Sequence, residues 1–142
     1  MDSINTILDT NVLYAGLYSS CGASHQVLIA LEQGRIQIVL STTLVFEYEE
    51  VLKRDQEMLN LTDKEIEALL DDLCRRSNHQ VVYFHWRPCL SDPKDDHILE
   101  LAVASSTSTI VTHNVRDFKR AIEFGIRAIT PGQFLEELKW EH

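Results

Sequence analysis

The chain has 142 residues, 44% of them hydrophobic, with only 5 Gly and 3 Pro, a composition that fits one globular domain spanning residues 1–142 and excludes a disordered or fibrous chain. No apolar run approaches the roughly 20 residues that cross a bilayer, and no basic-then-apolar leader opens the chain, so the sequence predicts a soluble cytoplasmic protein without a membrane partner. Its 22 acidic and 13 basic residues leave a net charge of -9, which argues against gripping nucleic acid by charge alone but permits an acidic site that meets a polyanion through bound cations.

In chain order, INTILD (4–9) reads as a short buried strand, and ASHQVLIALEQG (23–34) carries apolar residues at helical spacing up to a C-capping Gly34. IQIVLS (36–41) is a second strand. TTLVFEYEEVLKR (42–54) and TDKEIEALLDDLCRRSN (62–78) are two helices, the second opened by Thr62 with Glu65 at capping-box spacing. QVVYFH (80–85) reads as the third strand, KDDHILELAVASS (94–106) as a helix and STIVTHN (108–114) as the fourth strand. VRDFKRAIEFG (115–125) follows as a short helix, IRAIT (126–130) as a fifth strand, and PGQFLEELKW (131–140) as a last helix begun by Pro131. Strands separated by helices predict an α/β protein: a single-domain three-layer α/β/α sandwich around a mainly parallel sheet of four to five strands. Cys21, Cys74 and Cys89 are odd in number and unpaired in spacing, so they are expected as free thiols rather than disulfides or a thiolate zinc site.

That topology places ligands in the crevice beyond the carboxyl ends of the strands. Asp9 ends the first strand and falls there by position. A carboxylate so close to an apolar strand costs several kcal/mol to desolvate unless something pairs it. SDPKDDHILELA (91–102) adds Asp92, Asp95 and Asp96 at the start of a helix, three acids where helix-terminus electrostatics would be served by one. Asp95 shares a helical face with Ile98 and Ala102 and is expected to point inward, whereas Asp96 is rotated by about 100° and is expected to lean outward. Glu47 has Leu44 and Val51 at helical spacing, so it sits on an apolar face where an acid is otherwise costly. After the fourth strand, Thr112, Asn114 and Asp117 bring hydroxyl, amide and carboxylate oxygens to the same edge. Separate segments thus aim hard oxygen donors at one place, the ligand set of Mg²⁺ or Mn²⁺ rather than of zinc. No pair among the six histidines has metal-ligand spacing on one predicted face, and His97 and His113 are given no direct catalytic part.

ILDTNVLYAG, LSTTLVFEYEEVLKR, DPKDDHILELA and IVTHNVRDF, in this order, resemble a PIN domain of the kind found in toxin–antitoxin systems, similar to VapC-type toxins. The resemblance covers nearly the whole chain and rests on the ordered set rather than on any one motif. Carried over, the acids are Asp9, Glu47 and Asp95, with the fourth polar position shared by Asn114 and Asp117. Asn114 stands where many relatives carry aspartate, and the doubled Asp95–Asp96 leaves the third ligand open by one residue. The resemblance implies a metal-dependent endoribonuclease with Asp9, Glu47, Asp95 and Asp117 as catalytic residues. The same four, with Asp96 and Asn114, are the metal-ligand candidates. It also implies an RNA substrate, a cognate antitoxin protein that blocks the cleft, and a homodimer. The rival expectation is a catalytically inactive PIN fold that serves as a protein-binding module.

Overall fold

In the computed structural model, residues 4–82 and 96–140 are described. Strand β1 (Ile4–Leu8) forms the middle of the sheet, and its Thr6, Ile7 and Leu8 are buried, as expected of a parallel strand covered on both faces. β1 pairs in parallel with β2 (Ile36–Leu40), Ile4 opposite Ile36, and with β4 (Thr109–Val111), Leu8 opposite Val111. β3 (Ser77–His79) extends β2, and β5 (Arg127–Ile129) extends β4. The result is a five-stranded, all-parallel sheet in the order β3-β2-β1-β4-β5, an α/β architecture flanked by helices.

The chain moves outward from β1 to β3, then returns to the other side of β1 for β4 and β5. The order therefore reverses between β1 and β4, and a crevice opens beyond their carboxyl ends. Around the sheet lie helices α1 (Thr10–Tyr18), α2 (Ala23–Glu32), α3 (Thr42–Arg54), α4 (Gln56–Leu59), α5 (Asp63–Arg75), α6 (Asp96–Ser105) and α7 (Pro131–Trp140), with a 3₁₀ segment at Val115–Phe124. Ile7, Ile38, Leu40, Ile110 and Val111 of the sheet join Val12, Leu44, Leu52, Ile98 and Leu101 of the helices in one apolar core. The expected capping box on α5 is formed, Glu65 N donating to Thr62 Oγ1 at 3.1 Å and Thr62 N to Glu65 Oε1 at 2.9 Å.

Three local expectations are corrected. Helix α1 is not expected from the sequence, because TNVLYAGLY contains Asn, Val, Tyr and Gly, all weak helix formers. Tertiary contact supplies what propensity lacks: Val12 and Leu13 are buried and Asp9 caps the first turn by accepting from Thr10 N. The third strand is Ser77–His79 rather than 80–85. Gln80–Val82 are not in a strand, and 83–85 lie outside the described residues. The β-branched and aromatic run QVVYFH suggests a strand by composition, but pairing with β2 selects the polar Ser-Asn-His at the sheet edge. Asp96, finally, does not lean outward; it is 7% exposed, and Glu100 one turn later is 5% exposed. No single apolar face sets the orientation of Asp96, because Ile98, Leu99, Leu101 and Ala102 are all fully buried and α6 is enclosed around most of its circumference.

Gly16 records how closely α1 and α2 approach. A Cβ there would meet Leu28 Cδ1 at 2.6 Å and the Ser24 carbonyl at 3.0 Å. Gly→Ala inside a helix ordinarily stabilises by about 1 kcal/mol, but overpacking costs about 1–3 kcal/mol. Gly16→Ala is therefore expected to lower stability by about 1 kcal/mol, read as a fall of roughly 4 °C in the thermal midpoint. An increase in the midpoint would show that α2 can move aside.

Candidate active site

Asp9 follows the last residue of β1 and caps α1, so one residue serves strand end, helix start and crevice. Its backbone N donates to Val111 O at 2.9 Å, which ties it to the end of β4. Its side chain is only 6% exposed. Asp9 Oδ1 accepts from Thr10 N at 2.8 Å; Oδ2 accepts from the Thr112 hydroxyl at 2.7 Å and from Asn11 Nδ2 at 3.3 Å. Thr112 in turn accepts from Asn114 N at 3.0 Å. Its side chain thus holds the loop after β4 to the carboxylate after β1, across 103 residues of sequence.

A second carboxylate stands beside this one. Glu47 of α3 accepts from the Thr10 hydroxyl at 2.8 Å, and His97 Nε2 approaches the same Glu47 oxygen at 3.3 Å. His97 Nδ1 is buried and makes no hydrogen bond among the described residues. The next residue of α3, Tyr48, is buried and donates to Leu8 O at 2.6 Å, which fixes α3 to the end of β1. Burial, then the charges of Asp9 and Glu47, push the Tyr48 hydroxyl well above the ordinary tyrosine range, so it stays a donor.

The electrostatics of Asp9 combine opposed effects. Burial raises its carboxyl pKa most, the Thr112 hydrogen bond lowers it, Glu47 raises it again, and Thr10 N and His97 lower it; the net direction is upward. Among the described residues no lysine or arginine pairs with Asp9. Two acids that repel each other in a partly buried crevice form a place where a cation lowers the energy.

Asp9, Thr10, Asn11, Asn114 and Asp117 line one cleft of about 450 Å³ together with Tyr14, Val51, Arg54 and Asp55. Of the residues expected from sequence, the structure brings Asp9, Asn114 and Asp117 into this cleft and places Glu47 next to it through Thr10. Asp96 is buried at the first residue of α6 and is not among the residues lining that cleft. Asp92, Asp95 and Cys89 lie outside the described residues; Cys21 and Cys74 are free and exposed, as expected.

The roles of several neighbouring residues were not legible in the sequence. Thr10, Asn11 and His97 act by orienting the acids, and no spacing rule marks such residues. His113, given no direct catalytic part, acts as a brace. Its Nε2 lies 2.7 Å from the buried Ser24 hydroxyl of α2, and its backbone N donates to Asn11 Oδ1 at 3.2 Å.

The donor chemistry, carboxylate and amide oxygen without thiolate, fits a hard divalent cation. Among the described residues, however, no three His, Cys, Asp or Glu side chains gather closely enough to hold one by themselves.

A family model described as PIN domain matches residues 5–116. A search of curated protein sequences finds no match. Among solved structures, the chain is similar to the crystal structure of VapBC2 from Rickettsia felis bound to a DNA fragment from their promoter, with a TM-score of 0.60. The two are 16% identical over 88% of this chain and 97% of that one, a likeness that concerns the fold.

Proposed function

The chain belongs to the PIN domain family, and from that membership and the carboxylates of the cleft we propose that it is a metal-dependent endoribonuclease, the toxin of a toxin–antitoxin pair. The observation that carries this reading is the buried Asp9 carboxylate at the sheet's switch point, with Glu47 beside it and, among the described residues, no lysine or arginine paired with Asp9. Asp9, Glu47 and Asp117 would hold Mg²⁺ or Mn²⁺, with Asn114 and either Asp95 or Asp96 as further donors. The ion supplies charge for the scissile phosphate and acidity for the attacking water.

The protein's own groups supply orientation. Thr10 N and the Thr112 hydroxyl fix the Asp9 oxygens from two directions. The Thr10 hydroxyl and His97 hold Glu47. Arg54 in the cleft wall, with the exposed Arg116 and Lys119 flanking Asp117, offers positive charge to the phosphate backbone of a chain that is otherwise acidic. The likeness to VapBC2 supports a cognate antitoxin as partner, one that blocks the cleft, and a homodimer as the working form.

A second reading, an inactive PIN fold that binds a protein partner, is favoured by one observation: the described acids do not close into a metal cage. Titration with Mn²⁺ separates the two. At a hundredfold excess over its dissociation constant the ion is expected to stabilise the protein by about 2.7 kcal/mol, and single-stranded RNA is expected to be cleaved only in its presence. An unchanged thermal midpoint together with intact RNA overturns the nuclease reading in favour of the binding module.

A further inference from the structure

Helix α1 carries Tyr14 and Tyr18 one turn apart, and their rings stack with centroids 5.9 Å apart and planes 13° apart. The pair extends from the catalytic cleft out to solvent: Tyr14 lines the cleft, while Tyr18 is 57% exposed. Packing does not account for the exposure of Tyr18, since the α1 contacts with the core come from Val12, Leu13, Tyr14 and Leu17. The rise of 1.5 Å per helical residue puts Tyr14 about 7.5 Å and Tyr18 about 13.5 Å along the axis from Asp9. That is the distance of a nucleotide or two from a phosphate held at the acids.

Beside the rings stands a cation. Arg54, the last residue of α3, shares the cleft wall with Tyr14. Its charge is held chiefly by Asp55 through hydrogen bonds of 3.0 and 3.4 Å. Asp55 leaves the guanidinium exposed. Stacked aromatic rings with a neighbouring arginine are the combination that binds unpaired bases: every base has a π-face, and the guanidinium takes the phosphate.

We infer that the Tyr14–Tyr18 stack is a platform for an unpaired base of single-stranded RNA, next to the phosphate that is cut. This rests on the ribonuclease reading for the identity of the strand but not for the binding itself. The platform selects single strands because bases in a duplex have no free face to offer.

The test uses the full chain and a short single-stranded RNA carrying a fluorescent adenine analogue, with Ca²⁺ in place of Mg²⁺ so that binding is read without cleavage. Stacking is expected to quench the fluorescence. Tyr18→Leu, at an exposed position that leaves folding intact, is expected to weaken binding roughly tenfold and relieve the quenching, and Tyr14→Leu to do the same. Tyr18→Phe and Tyr14→Phe keep the ring and are expected to bind like the parent. The same RNA annealed to its complement is expected to bind more weakly than the single strand. In Mg²⁺ or Mn²⁺, the leucine variants are expected to raise KM with kcat near the parent value. Parent-like affinity and quenching in both leucine variants, or no binding by the parent, overturns the platform. Binding that is lost in the leucine variants while the parent cleaves nothing in Mn²⁺ upholds the platform and overturns the nuclease reading alone.

Discussion

Asp9→Asn is expected to reduce RNA cleavage by about a thousandfold while the protein folds normally. The size of the loss follows from removing a preorganised charge at the reacting centre, which typically costs 10²–10³ in rate, together with weakened hold on the ion. Asparagine keeps the shape and can still accept from Thr10 N, so the cap on α1 survives. Its effect on stability without metal has the opposite sign. The native Asp9 carboxyl pKa is raised, by burial first, so the folded state holds that proton more tightly than the unfolded state. Wild-type stability therefore falls as pH rises from the ordinary aspartate value through the raised native one. The variant has no such titration, and its midpoint relative to wild type should climb across that window and stay level above it. With Mn²⁺ present the order reverses at neutral pH, because only the ionised wild-type carboxylate gains from the ion. Cleavage that persists in Asp9→Asn would remove Asp9 from the mechanism. A variant less stable than the metal-free wild type at every pH would show that hydrogen bonds, not charge, dominate the site.

The second large effect is expected at a residue that orients Asp9. Thr112 is fully buried; it donates to Asp9 Oδ2 at 2.7 Å and accepts from Asn114 N at 3.0 Å. Thr112→Val preserves volume and deletes both bonds together with the longer one, 3.4 Å, that the hydroxyl accepts from Asn11 Nδ2. A hydrogen bond to a charged group contributes about 1.5–3 kcal/mol, and the orphaned Asn114 N–H adds to the loss, so destabilisation of about 3 kcal/mol is expected at pH 7. At acidic pH, where Asp9 is neutral, the loss should shrink toward the roughly 1 kcal/mol of a neutral bond. Since this bond lowers the Asp9 pKa, its removal also moves the acidic limb of the pH–rate profile upward. Thr112→Ser restores the hydroxyl and should recover the profile while losing only the packing of a methyl group. Chemical denaturation at the two pH values, paired with kcat/KM against pH, reads all of this. Equal destabilisation at both pH values would mean that Thr112 braces the loop without acting on the Asp9 charge.

Much of this molecule is legible locally because its signals are local. Periodicity marks α2, α3, α5 and α7, the Thr62–Glu65 spacing marks a cap, and short apolar runs mark β1, β2 and β4. An acid directly after such a run, as at Asp9, sits at the crevice of an α/β sheet whatever the rest of the fold does. The misreadings have a common cause. Helix α1, the polar β3 and the inward Asp96 each depend on what packs against them, and neighbours in space do not write themselves into neighbours in sequence.

By itself, then, the sequence determined the fold class, most of the helices and strands, and the chemical type of Asp9, Glu47, Asn114 and Asp117 as oxygen donors, because hydrophobic period and chemical type are properties of short segments. Only the tertiary structure decided how those donors are held. Placing Leu8 beside Val111 brings Thr112 onto Asp9, and packing α3 against α1 brings Glu47 onto Thr10. Strand register and helix packing are set by the whole core at once, and the charge state of a buried carboxylate depends on every group that surrounds it.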